Sequence, residues 1–150
     1  MPEDLPVSLL MFIAARAAEN RILEAVQRAG YDDITVAQAR IAARIGPNGT
    51  RLGELAEQAQ VAKQTATALV DRLERAGYVQ RTVDPTDARA RLVRIAKRGA
   101  EIIPIARVEE AKIEAEWTEH LGPRRMKQLR DALNLLREIT DPYQGPNGRS

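Results

Sequence analysis

The sequence contains no cysteine and a single histidine, His120. The first absence excludes disulfides, thiolate metal centres and thiol-based redox sensing. The second leaves no His cluster and disfavours a His/Asp/Glu metal site; no metal is expected, and no cofactor. Aromatic residues make up only 3% of the chain, which means the core must be built from Leu, Ile, Val and Ala. Long apolar runs are also missing. The stretch from Val7 to Ala18 is short, contains Arg16 and has no basic region before it, so it reads as neither a signal peptide nor a membrane span. A cytoplasmic protein with no membrane partner is the expectation. There is no Gly-rich phosphate loop and no Ser or Cys nucleophile motif. The neighbouring acids Glu109 and Glu110 lie in a stretch rich in solvated charge. An enzyme is therefore not expected. No internal repeat is evident. The net charge is only +2, which excludes a polybasic tail but leaves open a locally basic surface.

What is present is a helix-rich chain of 150 residues, 44% of them hydrophobic. That length suits one domain, or a compact unit with an oligomerisation element. From Pro6 to about Gly30, apolar residues recur with helical spacing (Leu9, Leu10, Ile13, Ala14, Ala17, Ile22, Leu23, Val26). The apolar coverage is wide enough to pack on two partners, its own domain and a second subunit. A second helix is expected over Asp33 to Ile45, capped by Thr35 or Asp33. The run Gly46-Pro47-Asn48-Gly49 breaks it. Thr50 is a plausible cap for a third helix, Leu52 to Ala59, and a turn at Gln60-Val61 leads to a fourth, Ala62 to Arg75. Tyr78 to Val83 and Arg91 to Ile95 read as strands on either side of a turn at Asp84-Pro85-Thr86-Asp87, forming a hairpin with a long basic tip. Lys97 to His120 is helical, with Pro104 expected to kink it or to mark its true start. Gly122-Pro123 opens a last helix reaching Thr140. Asp141 onward, with Pro142, Gly145, Pro146 and Gly148, reads as a frayed tail.

The third and fourth helices form the informative pair. Leu52, Leu55, Ala56, Val61, Ala66, Leu69, Val70 and Leu73 can pack them together. Lys63, Gln64, Thr65 and Thr67 then remain outside at the start of the second member. A helix-turn-helix reads base edges with that end of its second helix. Gln pairs bidentately with adenine, Lys donates to guanine, and the Thr methyl meets a thymine methyl; Thr and Lys equally serve phosphate. The same pattern also describes a plain helical hairpin with a solvated face. The hairpin that follows separates the two readings. Six cations lie between Arg81 and Arg98 (Arg81, Arg89, Arg91, Arg94, Lys97, Arg98), against Asp84 and Asp87. Acids dominate from Arg107 to Glu119, so charge of opposite sign is segregated along the chain. Arg89 and Arg91 near the tip suit a minor groove, and Asp87 can orient the Arg89 guanidinium through a carboxylate pair.

Asp84-Pro85-Thr86-Asp87-Ala88-Arg89, continued by Leu92-Val93-Arg94-Ile95 and Lys97-Arg98-Gly99, resembles the wing signature of the MarR family of winged helix-turn-helix regulators. Leu69-Val70-Asp71-Arg72-Leu73-Glu74 with Gly77-Tyr78-Val79 is similar to the family's recognition-helix end and first wing strand. The order of elements agrees from about Pro6 to Thr140. The resemblance implies base or phosphate contacts from Lys63, Gln64, Thr65 and Thr67, a minor-groove role for Arg89 with Asp87 as its buttress, and a dimer built by the first and last two helices. It also implies a small aromatic or phenolic effector. Its site is not identifiable from the sequence: Trp117, Arg16, Arg21 and Phe12 can line a pocket, but the apolar ones suit a core or dimer interface better. Departures from the family pattern are Ala62 at a position usual for a Ser-type cap, Ala68, Ala88 and Ala96 in place of larger or polar residues, and Pro104.

The expectation is a mainly α protein with a small two-stranded β-hairpin wing. Residues 33–96 form the winged helix-turn-helix domain, and 1–32 with 97–150 form a discontinuous helical dimerisation region. The function that follows is sequence-specific binding of double-stranded DNA by a homodimer, acting as a bacterial repressor on a pseudo-palindromic operator. The alternatives are a non-sensing DNA architectural protein and a helical module whose basic hairpin meets an acidic protein.

Overall fold

The computed structural model describes residues 4–143. Nine elements follow in the order α1 (Val7–Arg28), α2 (Val36–Ala42), β1 (Thr50–Arg51), α3 (Leu52–Ala59), α4 (Lys63–Arg75), β2 (Val79–Asp84), β3 (Asp87–Ile95), α5 (Lys97–Leu121) and α6 (Pro123–Thr140). The architecture is the expected one, mainly helical with a β-hairpin wing. The tail residues Gly145, Pro146 and Gly148 lie outside the described residues.

Local chemistry accounts for most boundaries. Pro6 supplies an extended residue before α1, and Thr35 opens α2 with a reciprocal box. The Thr35 hydroxyl accepts from the Gln38 N–H at 3.2 Å, while the Gln38 side chain accepts from the Thr35 N–H at 2.9 Å. Two backbone donors are thereby satisfied without water. Helix α3 ends at Gln60, a non-glycine residue at φ 57°, which makes the sharp turn into α4.

The structure differs from expectation at four places. Helix α2 is shorter, stopping at Ala42. Thr50 is not a helix cap. It lies in β1 and its hydroxyl accepts from the Gly46 N–H at 2.9 Å. β1 pairs with β3 through Thr50↔Val93 and Arg51↔Leu92, so the sheet has three antiparallel strands in the order β1-β3-β2. A two-residue strand carries no periodicity of its own, which is why only its neighbour reveals it. Gly49 precedes it at φ +86°, with β3 so close that an added Cβ would lie 3.0 Å from Arg94 and 3.1 Å from Leu92. The hairpin turn is Pro85-Thr86 alone, and Asp87 to Ala90 already belong to β3. The expected long tip is therefore mostly strand. Finally, α5 begins at Lys97 and runs through Pro104, so of the two expectations for this proline, a kink or the true start of the helix, the second does not hold. Proline removes the N–H that would meet the Ala100 carbonyl. Ala100 and Pro104 are both exposed, so water can take its place.

Two compact units divide the described residues within α5, one reaching Glu110 and the other starting at Ala111. The first holds the core, where Ile41, Leu55, Ala66, Val70 and Leu73 bury against Tyr78, Val79 and Val93, with Leu23 and Val26 from α1. The apolar positions anticipated for α3 and α4 all join this cluster or pack against it. Truncating one such residue, as in Leu73→Ala, costs about 2–5 kcal/mol. In the second unit Ile113 and Met126 are buried, and Glu114 of α5 pairs with Arg130 of α6.

Candidate nucleic-acid interface

Helix α4 is fixed by four buried residues on one face, Ala66, Leu69, Val70 and Leu73. Its first turn therefore presents Lys63, Gln64 and Thr65 outward, all exposed. Ala62 at the cap position makes no side-chain bond, and no acid sits in the first turn. The leading N–H groups are thus uncovered at the positive end of the helix, beside the Lys63 ammonium. Such an end attracts phosphate oxygens. Thr67 behaves differently. It is half-buried, and its hydroxyl donates to the Lys63 carbonyl at 2.9 Å. That proton is spent within the helix, leaving the methyl and the oxygen lone pair for a partner.

The six cations of the wing region separate into two groups. Arg81 is neutralised by α4, its guanidinium donating to Glu74 at 2.7 Å and to Asp71 at 2.6 Å. Arg98 donates to Asp33 at 2.7 Å and to the Ala76 carbonyl at 2.9 Å, and lies 4.4 Å over the Tyr78 ring. Arg94 donates to the Thr82 hydroxyl at 3.0 Å. Arg89, Arg91 and Lys97 are exposed and carry no ion pair among the described residues. The basic surface of the wing therefore comes down to Arg89 and Arg91 on β3, with Lys97 where α5 begins.

Asp87 meets Arg89 by a route other than the expected one. Its carboxylate accepts from the Arg89 backbone N–H at 3.0 Å rather than pairing with the guanidinium. A short acidic side chain just after a tight turn bonds the main chain two residues on. This fixes the backbone of Arg89 and leaves its side chain extended.

Three groups in this region were not among the expected site residues. Asp84 is buried at the end of β2 and accepts from the Thr86 hydroxyl at 2.7 Å and the Thr86 N–H at 2.8 Å. Arg51 donates to its other oxygen through Nε at 2.9 Å and Nη2 at 2.8 Å. The Thr86 hydroxyl and N–H, then the Arg51 guanidinium, hold the Asp84 carboxyl down at about 2. The third is Asp33, which joins Arg98 and the Tyr78 hydroxyl and is also held at about 2, chiefly by the Arg98 guanidinium. Burial, reinforced by Asp33, pushes the Tyr78 hydroxyl well above its ordinary value. Asp84 and Thr86 form an Asx motif legible in Asp-Pro-Thr, but the Arg51 contact spans 33 residues and has no local signal.

Among the residues considered for an effector, Phe12 is exposed with Arg16 5.4 Å over its ring, and Arg21 donates to Glu109 at 3.2 Å. Trp117 is half-buried in the second unit. Among the described residues no group of three or more His, Cys, Asp or Glu side chains is placed to hold a metal ion, and no helix is long and apolar enough to cross a membrane.

Residues 32–90, which span α2 to the start of the wing's return strand, match the sequence model of the MarR family. The transcriptional activatory protein BadR of Rhodopseudomonas palustris is 34% identical over 94 residues, 63% of this chain and 53% of that protein, so the match spans about half of that curated relative's length. The crystal structure of the transcriptional regulator Tm0710 from Thermotoga maritima is similar over 91% of this chain and 94% of that one, at 30% identity and a TM-score of 0.63. A crystal structure of MarR covers 89% of this chain and 96% of its own, at 28% identity and a TM-score of 0.73.

Proposed function

Because the chain belongs to the MarR family of winged helix-turn-helix regulators, we propose that it controls transcription by binding double-stranded DNA as a homodimer on a pseudo-palindromic operator. One observation carries this reading. The exposed side chains Lys63, Gln64 and Thr65 stand at the uncovered positive end of α4, on the same core as a wing whose exposed cations, without an ion pair among the described residues, are Arg89 and Arg91. Gln64 and Lys63 offer base-edge donors, Thr65 and the helix end take phosphate, and the wing arginines suit a narrow minor groove.

A single chain offers one such helix. The two-fold arrangement rests on apolar surface that each unit leaves uncovered. In α1, Leu9, Leu10, Phe12 and Ile13 are exposed, and in α6 Leu133, Leu136 and Ile139 are exposed. Apolar stripes of this extent mark protein interfaces. A second copy of the chain supplies matching stripes by symmetry. Two recognition helices about 34–36 Å apart then reach successive turns of one DNA face.

Occupancy of an operator overlapping a promoter blocks polymerase, which is repression. The relative from R. palustris is named as an activatory protein, so the sign of control belongs to operator position rather than to the fold. A small aromatic or phenolic anion is the proposed effector. It needs to favour one spacing of the two DNA-reading lobes by only a few kcal/mol to release DNA.

The test is selection of the purified protein on a random duplex library, followed by affinity measurement at two salt concentrations. A pseudo-palindrome with half-sites one turn apart, bound with steep salt dependence and weakened by Lys63→Ala or Gln64→Ala, is expected. Tight binding without a motif would favour an architectural protein. Weak, salt-insensitive binding would refute DNA as the partner and favour an acidic protein surface.

A further inference from the structure

We infer that Arg51 is a positioning residue for the wing: by clamping the buried Asp84 it holds the segment that carries Arg89 in register with the recognition helix. The inference rests on the DNA-binding reading above.

The need for a clamp follows from the strand register. Pairing of β2 with β3 is regular from Val79↔Ile95 to Val83↔Arg91, then jumps to Asp84↔Asp87. Ala88, Arg89 and Ala90 thus bulge out of the ladder. β1 does not reach them either, since its last pair is Arg51↔Leu92. Ladder hydrogen bonds therefore do not fix the part of the wing bearing the exposed Arg89. A bulge re-aims side chains, but something else must hold it.

Two carboxylates take that role. Asp87 accepts from the Arg89 N–H. Asp84, opposite Asp87, ties the turn through Thr86 and reaches back to Arg51. Arg51 is the residue immediately before α3, the first helix of the reading pair. One ion pair thereby connects the wing tip to the helix pair across 33 residues of sequence. The Asp84 side chain is only 7% exposed, so its charge depends on fixed partners rather than water.

Arg51 is itself exposed, which raises the rival idea that it contacts phosphate directly. The surrounding charge argues against this. Asp84 is bonded to it, and Asp87 and Glu54 also act on it electrostatically. A guanidinium already bonded to one carboxylate and under the influence of two more is a poor counterion for a fourth anion.

The experiment compares wild type with Arg51→Gln, Arg51→Lys, Arg89→Ala and the Arg51→Gln/Arg89→Ala double variant on the selected operator, with amide hydrogen exchange on the same proteins. Arg51→Gln is expected to speed exchange of the Thr86 and Arg89 amides at least about fivefold while leaving α4 unchanged. It is expected to weaken operator binding about tenfold with Arg89 present and less than about twofold without it. Arg51→Lys, which restores a cation opposite Asp84, should recover most of both effects. Unchanged exchange, or an equal loss of affinity in both backgrounds, would overturn the inference and assign Arg51 to direct contact. If wild type binds no DNA, that failure belongs to the functional reading, and the exchange rates alone decide whether the clamp holds the wing.

Discussion

Replacing Gly99 by alanine drives a methyl carbon into the Tyr78 carbonyl oxygen, well inside van der Waals contact, and brings it within 3.1 Å of Ile95 Cγ2. Gly99 lies in the first turn of α5, buried where that helix passes over the start of β2. The obstructing atom is backbone, so it cannot rotate aside. Relief requires α5 and β2 to part. Overpacking of this kind costs about 1–3 kcal/mol. The Tyr78 carbonyl also accepts from the Ala96 N–H at 2.9 Å, and loss of that bond adds about 1 kcal/mol. The sum is roughly 2–4 kcal/mol, and for a chain of this size each kcal/mol lowers Tm by about 2–4 °C. Gly99→Ala should therefore melt roughly 4–16 °C below wild type in a calorimetric or circular-dichroism scan. Gly53→Ala is the matched control. Nothing lies within 4 Å of a Cβ there, and it is a helical position, so alanine should stabilise by about 0.4–1 kcal/mol. A Gly99→Ala variant melting within about 2 °C of wild type would refute the reasoning, because it would mean the helix start yields without cost.

Three further outcomes are expected. Asp33 is held at about 2 in the folded chain and titrates near 3.9 when unfolded, so its contribution is present above pH ~4 and lost as pH falls toward 2. Thermal scans from pH 5 to pH 2 should show a steeper acid loss for wild type than for Asp33→Asn; parallel curves would exclude Asp33 as a source. Arg89→Ala and Arg91→Ala should each reduce the slope of log affinity against log salt by about 1, and an unchanged slope would remove that residue from the phosphate or groove contacts. Leu133→Glu, on the exposed apolar stripe of α6, should shift the protein to monomer in sedimentation; a persistent dimer would place the interface elsewhere.

Much of the reading pair was legible because its signals are local. The apolar spacing of Leu55, Ala66, Val70 and Leu73 defines a buried face, and the complement of that face is Lys63, Gln64 and Thr65. Thr35, Gly77 and Pro123 mark boundaries through backbone preferences that act within a few residues. The wing was less legible. Asp-Pro-Thr-Asp announces a turn, but the extent of β3 and the absence of a long tip depend on which residues pair across it.

Residue types and their periodicity, acting over one or two helical turns, were enough to determine helices around a helix-turn-helix, a hairpin after it, and a chain with no means for thiol chemistry. Tertiary structure alone decided which charges are used internally. Arg81 and Arg98 read from the sequence like Arg89 and Arg91, yet the first two meet Glu74, Asp71 and Asp33 in space while the others stay exposed. It likewise decided that Thr50 and Arg51 form a strand and that Gly99 has no room for a side chain. The physical reason is common to all of these. An ion pair, a two-residue ladder or a steric limit is set by partners far along the chain, and sequence spacing carries no record of them.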